Sequence, residues 1–217
     1  NQISIQDLRK IYTNKISINK NVLVVGGSRG IGELTAKMLS IRNANITLTF
    51  NKGNKDAKRV ITELNHDGNE ANAIHLNILN NKSIKNLFDN SNDFDQIYFF
   101  ASPRIIESSN INFDFKLFKK YNSYYLTPLL KIIEILVQKN KKTKIFFPST
   151  IFLDEKNNNS FSEYKASKLL CEDLSKEFLN KNISIIYERL PRILTDQTSE
   201  LNEKLLTNGI DILDTCL

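Results

Sequence analysis

Four consecutive apolar residues, Val22-Leu23-Val24-Val25, run directly into Gly26-Gly27-Ser28-Arg29-Gly30-Ile31-Gly32. An unbroken valine-rich run is the mark of a strand buried on both faces, as in a parallel sheet. Beyond the glycines, Leu34, Met38, Leu39 and Ile41 continue at helical spacing, so the glycines form a strand-to-helix turn. The first N–H groups of a helix lack internal partners and carry the positive end of its dipole. A turn without side chains lets a pyrophosphate approach them closely. The motif therefore predicts the start of a dinucleotide site, and its plainer reading is a tight strand-to-helix connection.

The rest of the chain repeats this alternation. Apolar runs at residues 22–25, 46–50, 73–76, 97–100, 145–147 and 183–187 read as six strands with helical segments between them. Such alternation predicts an α/β fold, a doubly wound parallel sheet with helices on both faces. With 217 residues, 41% of them hydrophobic, the chain can bury one substantial core. One domain is expected over residues 21–217, after an N-terminal extension at 1–20. Gly53-Asn54-Lys55, residues 66–72 and Asn157-Asn158-Asn159 read as loops, and residues 209–213 as a candidate last strand.

A second group of residues lies far along the chain. Leu169, Leu170, Leu174, Phe178 and Leu179 predict a helix over residues 161–179, which puts Tyr164 and Lys168 on one face. A neighbouring ammonium favours tyrosinate and brings a phenol towards proton transfer at neutral pH. The alternative is an ordinary exposed helix. Residues 144–150 read as a strand that ends in Ser149-Thr150, and Thr150 lies 14 residues before Tyr164. Ligands of parallel sheets meet the carboxyl ends of the strands, so a hydroxyl there can hold a substrate oxygen. Upstream, residues 117–137 have helical periodicity with Asn122 in the first half. Asparagine is a poor helix-interior residue, so it marks either a special position or a solvent-facing one.

Together these residues, in this order, resemble the short-chain dehydrogenase/reductase family from about Val22 to Thr195. The resemblance implies a Rossmann fold, a nicotinamide cofactor and a catalytic tetrad. Carried onto this sequence, Asn122 takes the helix asparagine position, Thr150 (with Ser149 as fallback) the hydroxyl position, Tyr164 the acid/base, and Lys168 the group that holds the nicotinamide ribose and lowers the tyrosine pKa. Gly26, Ser28, Gly30, Ile31 and Gly32 would bind the cofactor diphosphate. Asn77 matches the family's adenine-contacting aspartate and reads equally as a strand-end turn. Ala101 and Ser102 fall in the loop that lies against the cofactor, and Pro191 follows the sixth strand. Departures from the family pattern are Gly26 in place of threonine, Phe99-Phe100-Ala101-Ser102-Pro103 in place of Asn-Asn-Ala-Gly, and Pro191-Arg192 in place of Pro-Gly. Phe147-Pro148-Ser149-Thr150 resembles the extended, epimerase-like branch instead.

Cofactor choice is a question of charge. NAD readers place a carboxylate at the end of the second strand, whereas Ile46-Thr47-Leu48-Thr49-Phe50-Asn51-Lys52 ends without one. Arg29 adds a cation on that side, and a guanidinium suits a 2′-phosphate. NADP(H) is the expected cofactor, with NAD(H) the alternative and Asn51 and Lys52 at the ribose.

Other classes of function find less support. The net charge of +6 comes from basic residues interspersed with acids, which argues against nucleic acid as a partner. Cys171 and Cys216 are far apart, His66 and His75 are isolated, and no metal site is expected. No apolar run nears the length of a membrane span, and the expected location is cytoplasmic. A chain that begins with asparagine and contains only Met38 reads as a fragment or domain of a longer protein. The 22 residues after Thr195 leave a short substrate region, so the substrate's identity stays open. The leading expectation is reduction of a small carbonyl compound or oxidation of a secondary alcohol. Nucleotide-sugar epimerisation or dehydration, and a cofactor-binding scaffold or sensor without turnover, are the alternatives. The family's pairing helices predict a homodimer or homotetramer.

Overall fold

The computed structural model describes residues 2–13, 16–66, 68, 70–91, 93–106, 112–154, 161–191 and 203–216, the side chains of 203–209 excepted. Six strands form one parallel sheet: β1 (Asn21–Val25), β2 (Asn45–Phe50), β3 (Ala71–His75), β4 (Gln96–Phe99), β5 (Thr143–Thr150) and β6 (Ile183–Leu190), in the order β3-β2-β1-β4-β5-β6. This is the doubly wound order whose switch point lies between β1 and β4. Register is set by pairs such as Val24 with Leu48 and Val25 with Phe99.

Side-chain alternation divides the core into two layers. Val22, Val24, Leu48, Tyr98 and Phe146 face one side, which is covered by α1 (Ile5–Ile11), α2 (Gly30–Ile41), α3 (Asn54–His66) and α8 (Glu203–Cys216). Leu23, Val25, Ile97, Phe99, Ile145 and Phe147 face the other. That side carries α4 (Asn81–Asn90), α5 (Phe115–Tyr124), α6 (Leu126–Lys139) and α7 (Ser162–Glu177). Several helix ends are read directly from side chains. The Asn80 oxygen accepts from the N–H groups of Lys82 and Ser83 at the start of α4, and Asp114 does the same for Lys116 and Leu117 in α5.

The segment before β1 contributes to the core. Ile5, Leu8 and Tyr12 are buried. Lys37 of α2 is fully buried and meets Glu33 at 2.8 Å and Glu63 at 2.9 Å, and it donates to the Ile3 carbonyl at 2.6 Å. Glu33 in turn accepts two hydrogen bonds from Arg59, at 2.8 and 2.7 Å. The charge cluster joins α2 to α3, and the Ile5 N–H, which donates to Glu63, ties the start of α1 to it.

Several boundaries differ from the sequence reading. The helix expected over 117–137 is two helices, divided at Tyr125 (φ −106°, ψ −72°). Pro128 lacks the N–H that would bond back to residue 124, so the ladder cannot run through. Residues 209–213 lie in α8 rather than in a strand, with Ile210 and Leu213 buried at helical spacing while Asp211 is exposed. Helix α3 begins at Asn54, inside the loop expected at 53–55, and β3 starts at Ala71 rather than residue 73. Asn157-Asn158-Asn159, Arg192 and Thr195 lie outside the described residues. Among the described residues no helix is long and apolar enough to cross a membrane, and no cluster of three or more His, Cys, Asp or Glu is placed to hold a metal ion.

Candidate active site

A cavity of about 550 Å³ opens at the carboxyl ends of the strands, from the glycine turn to Tyr164 and Lys168. At its β1 end, Gly26 has φ +81° and donates its N–H to the Thr49 hydroxyl. A Cβ on Gly32 would stand 2.2 Å from the Gly26 carbonyl oxygen, so the helix start can pack this tightly on the turn only with glycine there. Arg29, the N-cap of α2, gives no side-chain cap. The first N–H groups of α2 therefore face the cavity without an intrahelical acceptor, an arrangement that fits the diphosphate of a dinucleotide.

The end nearest β2 is basic. Arg29, Asn51 and Lys52 line it, together with Ser28 and Gly53. The Arg29 guanidinium is paired with a carboxylate that sequence reasoning passed over, with Nε and Nη2 at 2.6 and 2.5 Å from Asp56 Oδ2. Asn77 is not in the cavity wall, although Leu76 and Ile78 are. Its side-chain oxygen accepts from the Leu79 N–H, which makes it an Asx turn at the strand end.

At the opposite end, α7 buries Tyr164 and Lys168 on one face. Burial pushes the Tyr164 hydroxyl up to about 12, against a smaller opposing effect of its hydrogen bond with Thr150. Burial also brings Lys168 down to about 7. Its Nζ donates to the Pro148 carbonyl at 2.6 Å and sits 4.2 Å from the Tyr125 ring centroid and 4.4 Å from that of Phe147. The expected lowering of the tyrosine by the lysine is thus reversed: the ammonium is itself disfavoured here, and desolvation of the phenol dominates.

Thr150 and Ser149 alternate along β5 and do different things. Thr150 reaches Tyr164, while its oxygen also accepts from the Phe152 N–H at 3.3 Å. The Ser149 hydroxyl is turned to Glu172 at 2.5 Å, and Glu172 accepts two hydrogen bonds from Arg189, which also meets Asp154. This network, buried at Ser149 and Glu172 and open to solvent at Asp154, ties β5, β6 and α7 together beside the site. Asn122 does not line the cavity; its Oδ1 is buried without a hydrogen-bond partner among the described residues.

Ala101 and Ser102 lie opposite the glycine turn, and Pro191 closes the β6 side. A Cβ on Gly26 would approach the Ala101 nitrogen at 2.9 Å, so the two loops touch. The Ser102 hydroxyl meets the Tyr125 hydroxyl at 2.7 Å. Tyr125 falls inside the helix that periodicity predicts over 117–137, and only the break before Pro128 marks it out. Its ring packs with those of Tyr121 and Tyr164, with centroids 6.1 and 6.0 Å away.

A glycine turn over a helix start, joined by one cavity to a threonine–tyrosine–lysine group at the carboxyl edge of a parallel sheet, defines a dinucleotide-binding α/β protein of the oxidoreductase type. Residues 20–206 match the family model described as short chain dehydrogenase, and the chain belongs to that family. Among solved structures, a short-chain dehydrogenase from Burkholderia cenocepacia J2315 in complex with NADP has a TM-score of 0.71 at 19% identity, over 88% of this chain and 81% of that one. Pseudomonas aeruginosa RhlG with NADP gives 0.73 at 18%, over 89% and 82%. A Serratia marcescens short-chain dehydrogenase/reductase gives 0.75 at 14%, over 88% and 81%. These likenesses speak for the fold. No curated protein sequence is a significant match to this chain.

Proposed function

We propose that this chain is an NADP(H)-dependent oxidoreductase that reduces a carbonyl compound or oxidises a secondary alcohol, with Tyr164 as acid/base. The observation that carries this reading is a single cavity with the glycine turn at one end and Thr150, Tyr164 and Lys168 at the other. Structural neighbours hold NADP, and the basic β2 end of the cavity suits a 2′-phosphate.

A bound nicotinamide cofactor supplies the hydride acceptor or donor. The chain's own residues do the rest. The N–H groups at the start of α2, with Gly26, Ser28, Gly30, Ile31 and Gly32 around them, receive the diphosphate. Arg29, Asn51 and Lys52 face the adenosine ribose, and Leu76 and Ile78 border the adenine, with Asn77 between them holding the strand end through its Asx turn. Ala101, Ser102 and Pro191 border the nicotinamide end. Thr150 donates a hydrogen bond to the substrate oxygen. Tyr164, kept protonated by its burial, gives that oxygen its proton in the direction of reduction. Lys168 gains hydroxyl partners from the ribose, which favour its charged form and ease the return of a proton to Tyr164. Asn122 joins that relay from α5.

The helices α5 and α7 also carry exposed Phe115, Leu169 and Leu170, which supports pairing of copies through this face; a sedimentation velocity run that finds only monomer at micromolar concentration argues against it. For the main reading, NADPH and NADH are titrated by nicotinamide fluorescence, and turnover is then followed on a panel of ketones and aldehydes. Tyr164→Phe is expected to lower turnover by about 10²- to 10⁴-fold while NADPH still binds. Binding without turnover of any carbonyl, unaltered by the same substitution, points to a cofactor-binding scaffold.

A further inference from the structure

Arg29 stands in the cavity wall, but its guanidinium is already in use. Both Nε and Nη2 point to a single oxygen of Asp56, at 2.6 and 2.5 Å. Asp56 is in the first turn of α3 and is not itself part of the wall. The pair is built around Gly53: a Cβ there would lie 3.2 Å from the Ser28 hydroxyl, 3.4 Å from Asp56 Oδ2 and 3.6 Å from Arg29 Nε. Arg59, an α3 cation that also feels the Asp56 charge, is committed to Glu33 through two hydrogen bonds. Among the described residues, Arg29 is the ion-pair partner of Asp56.

The geometry points to Asp56 as an internal competitor that sets how strongly this chain prefers a 2′-phosphorylated cofactor over its unphosphorylated counterpart. The inference rests on the NADP(H) reading above and adds to it a residue outside the cavity. Pairing through Nε leaves the Nη1 edge of the guanidinium open, so a 2′-phosphate can bind there without expelling the carboxylate. It then shares one cation with Asp56 and lies a few ångströms from a like charge. Both effects weaken the phosphorylated cofactor, and neither acts on a cofactor that ends in a ribose hydroxyl. With the Arg29 side chain 59% exposed and that of Asp56 27%, solvent and salt moderate the effect, which makes it a tuning of preference rather than a block.

Asp56→Asn is the informative variant, because its amide oxygen still accepts from Arg29 while the charge is gone. Dissociation constants for NADPH and NADH are measured on wild type, Asp56→Asn, Arg29→Ala and the double variant, at low salt and at high salt. The expected result for Asp56→Asn is NADPH binding tighter by about three- to ten-fold at low salt, a smaller gain at high salt, and NADH changed by less than about two-fold. Measured against Arg29→Ala, the gain in the double variant is smaller, since only the like-charge effect is left to relieve, and Asp56→Glu binds as wild type does. Unchanged or weaker NADPH binding by Asp56→Asn, with wild type binding NADPH well, overturns the inference and leaves the cofactor reading standing. Wild type that binds neither nucleotide overturns both. A gain from Asp56→Asn that is as large without Arg29 as with it also overturns the inference, since the carboxylate would then not act through competition for that cation.

Discussion

The Lys168 ammonium nitrogen lies 4.2 Å from the centroid of the Tyr125 ring, and it donates a hydrogen bond to the Pro148 carbonyl from the same position. Tyr125 occupies the break between α5 and α6, so that irregularity puts an aromatic face against the lysine instead of a carboxylate. An aromatic face offers a cation some attraction but far less than water does. Burial then dominates and brings Lys168 down to about 7.

That depression has a direct consequence for stability. The unfolded chain keeps its lysine protons to about pH 10.4, whereas folded Lys168 releases its proton near 7. Between those values the unfolded state binds more protons, so stability rises with pH. The cost of burying Lys168 is greatest below the lower value and vanishes above the upper one. Urea midpoints measured from pH 7 to 10 without added cofactor should rise more steeply for wild type than for Lys168→Met. Equal slopes refute this account of the lysine.

Ser149 and Thr150 are adjacent hydroxyls with separable roles. Thr150→Val is expected to lower turnover by about 10²-fold with little change in stability. Ser149→Ala removes a hydrogen bond from buried Glu172 and should cost about 1–3 kcal/mol of stability. Steady-state kinetics and urea unfolding on both variants check the division; a larger loss of turnover from Ser149→Ala would reverse the assignment.

Glycines 32 and 53 differ in what surrounds them. Gly32→Ala forces a Cβ to within 2.2 Å of a backbone oxygen, and loss of nucleotide binding with about 1–3 kcal/mol of destabilisation is expected. Gly53→Ala meets only side-chain ends at 3.2 Å or beyond, which can rotate aside, so its effect should be smaller on both counts. Thermal unfolding and NADPH titration of the two variants test the order.

Lys37→Met leaves Glu33 and Glu63 without their shared buried cation. A loss of about 3 kcal/mol is expected, at the lower end for a broken buried pair because Arg59 still serves Glu33. Burial works to raise the Glu33 carboxyl, but hydrogen bonds from Arg59 and Lys37 outweigh it and hold the group below its ordinary range. Its stabilisation is thus complete above about pH 4.3 and is lost as pH falls further. Chemical denaturation of wild type and variant between pH 3 and 7 should show the two curves converging on the acid side.

Much of this molecule is legible in one dimension because its signals are local. A valine-rich run meeting glycines can only be a buried strand entering a helix, and the 3.6-residue period brings Tyr164 beside Lys168 whatever surrounds them. The six strands and their alternation with helices followed in the same way. Helix boundaries near Pro128 and at 209–213 differ, the first because helical periodicity runs across a proline, the second because Ile210, Ile212 and Leu213 around Asp211 form too short a stretch to tell strand from helix.

What the tertiary structure alone decided is the environment of each group. Asp56 reaches Arg29 from 27 residues further along the chain, Glu172 draws Ser149 away from the role left open to it, and Tyr125 faces Lys168 across two helices. Each is a contact between distant segments, and desolvation depends on everything packed around a side chain rather than on its neighbours in sequence. The identities of Tyr164 and Lys168 announce proton chemistry; their protonation states belong to the fold.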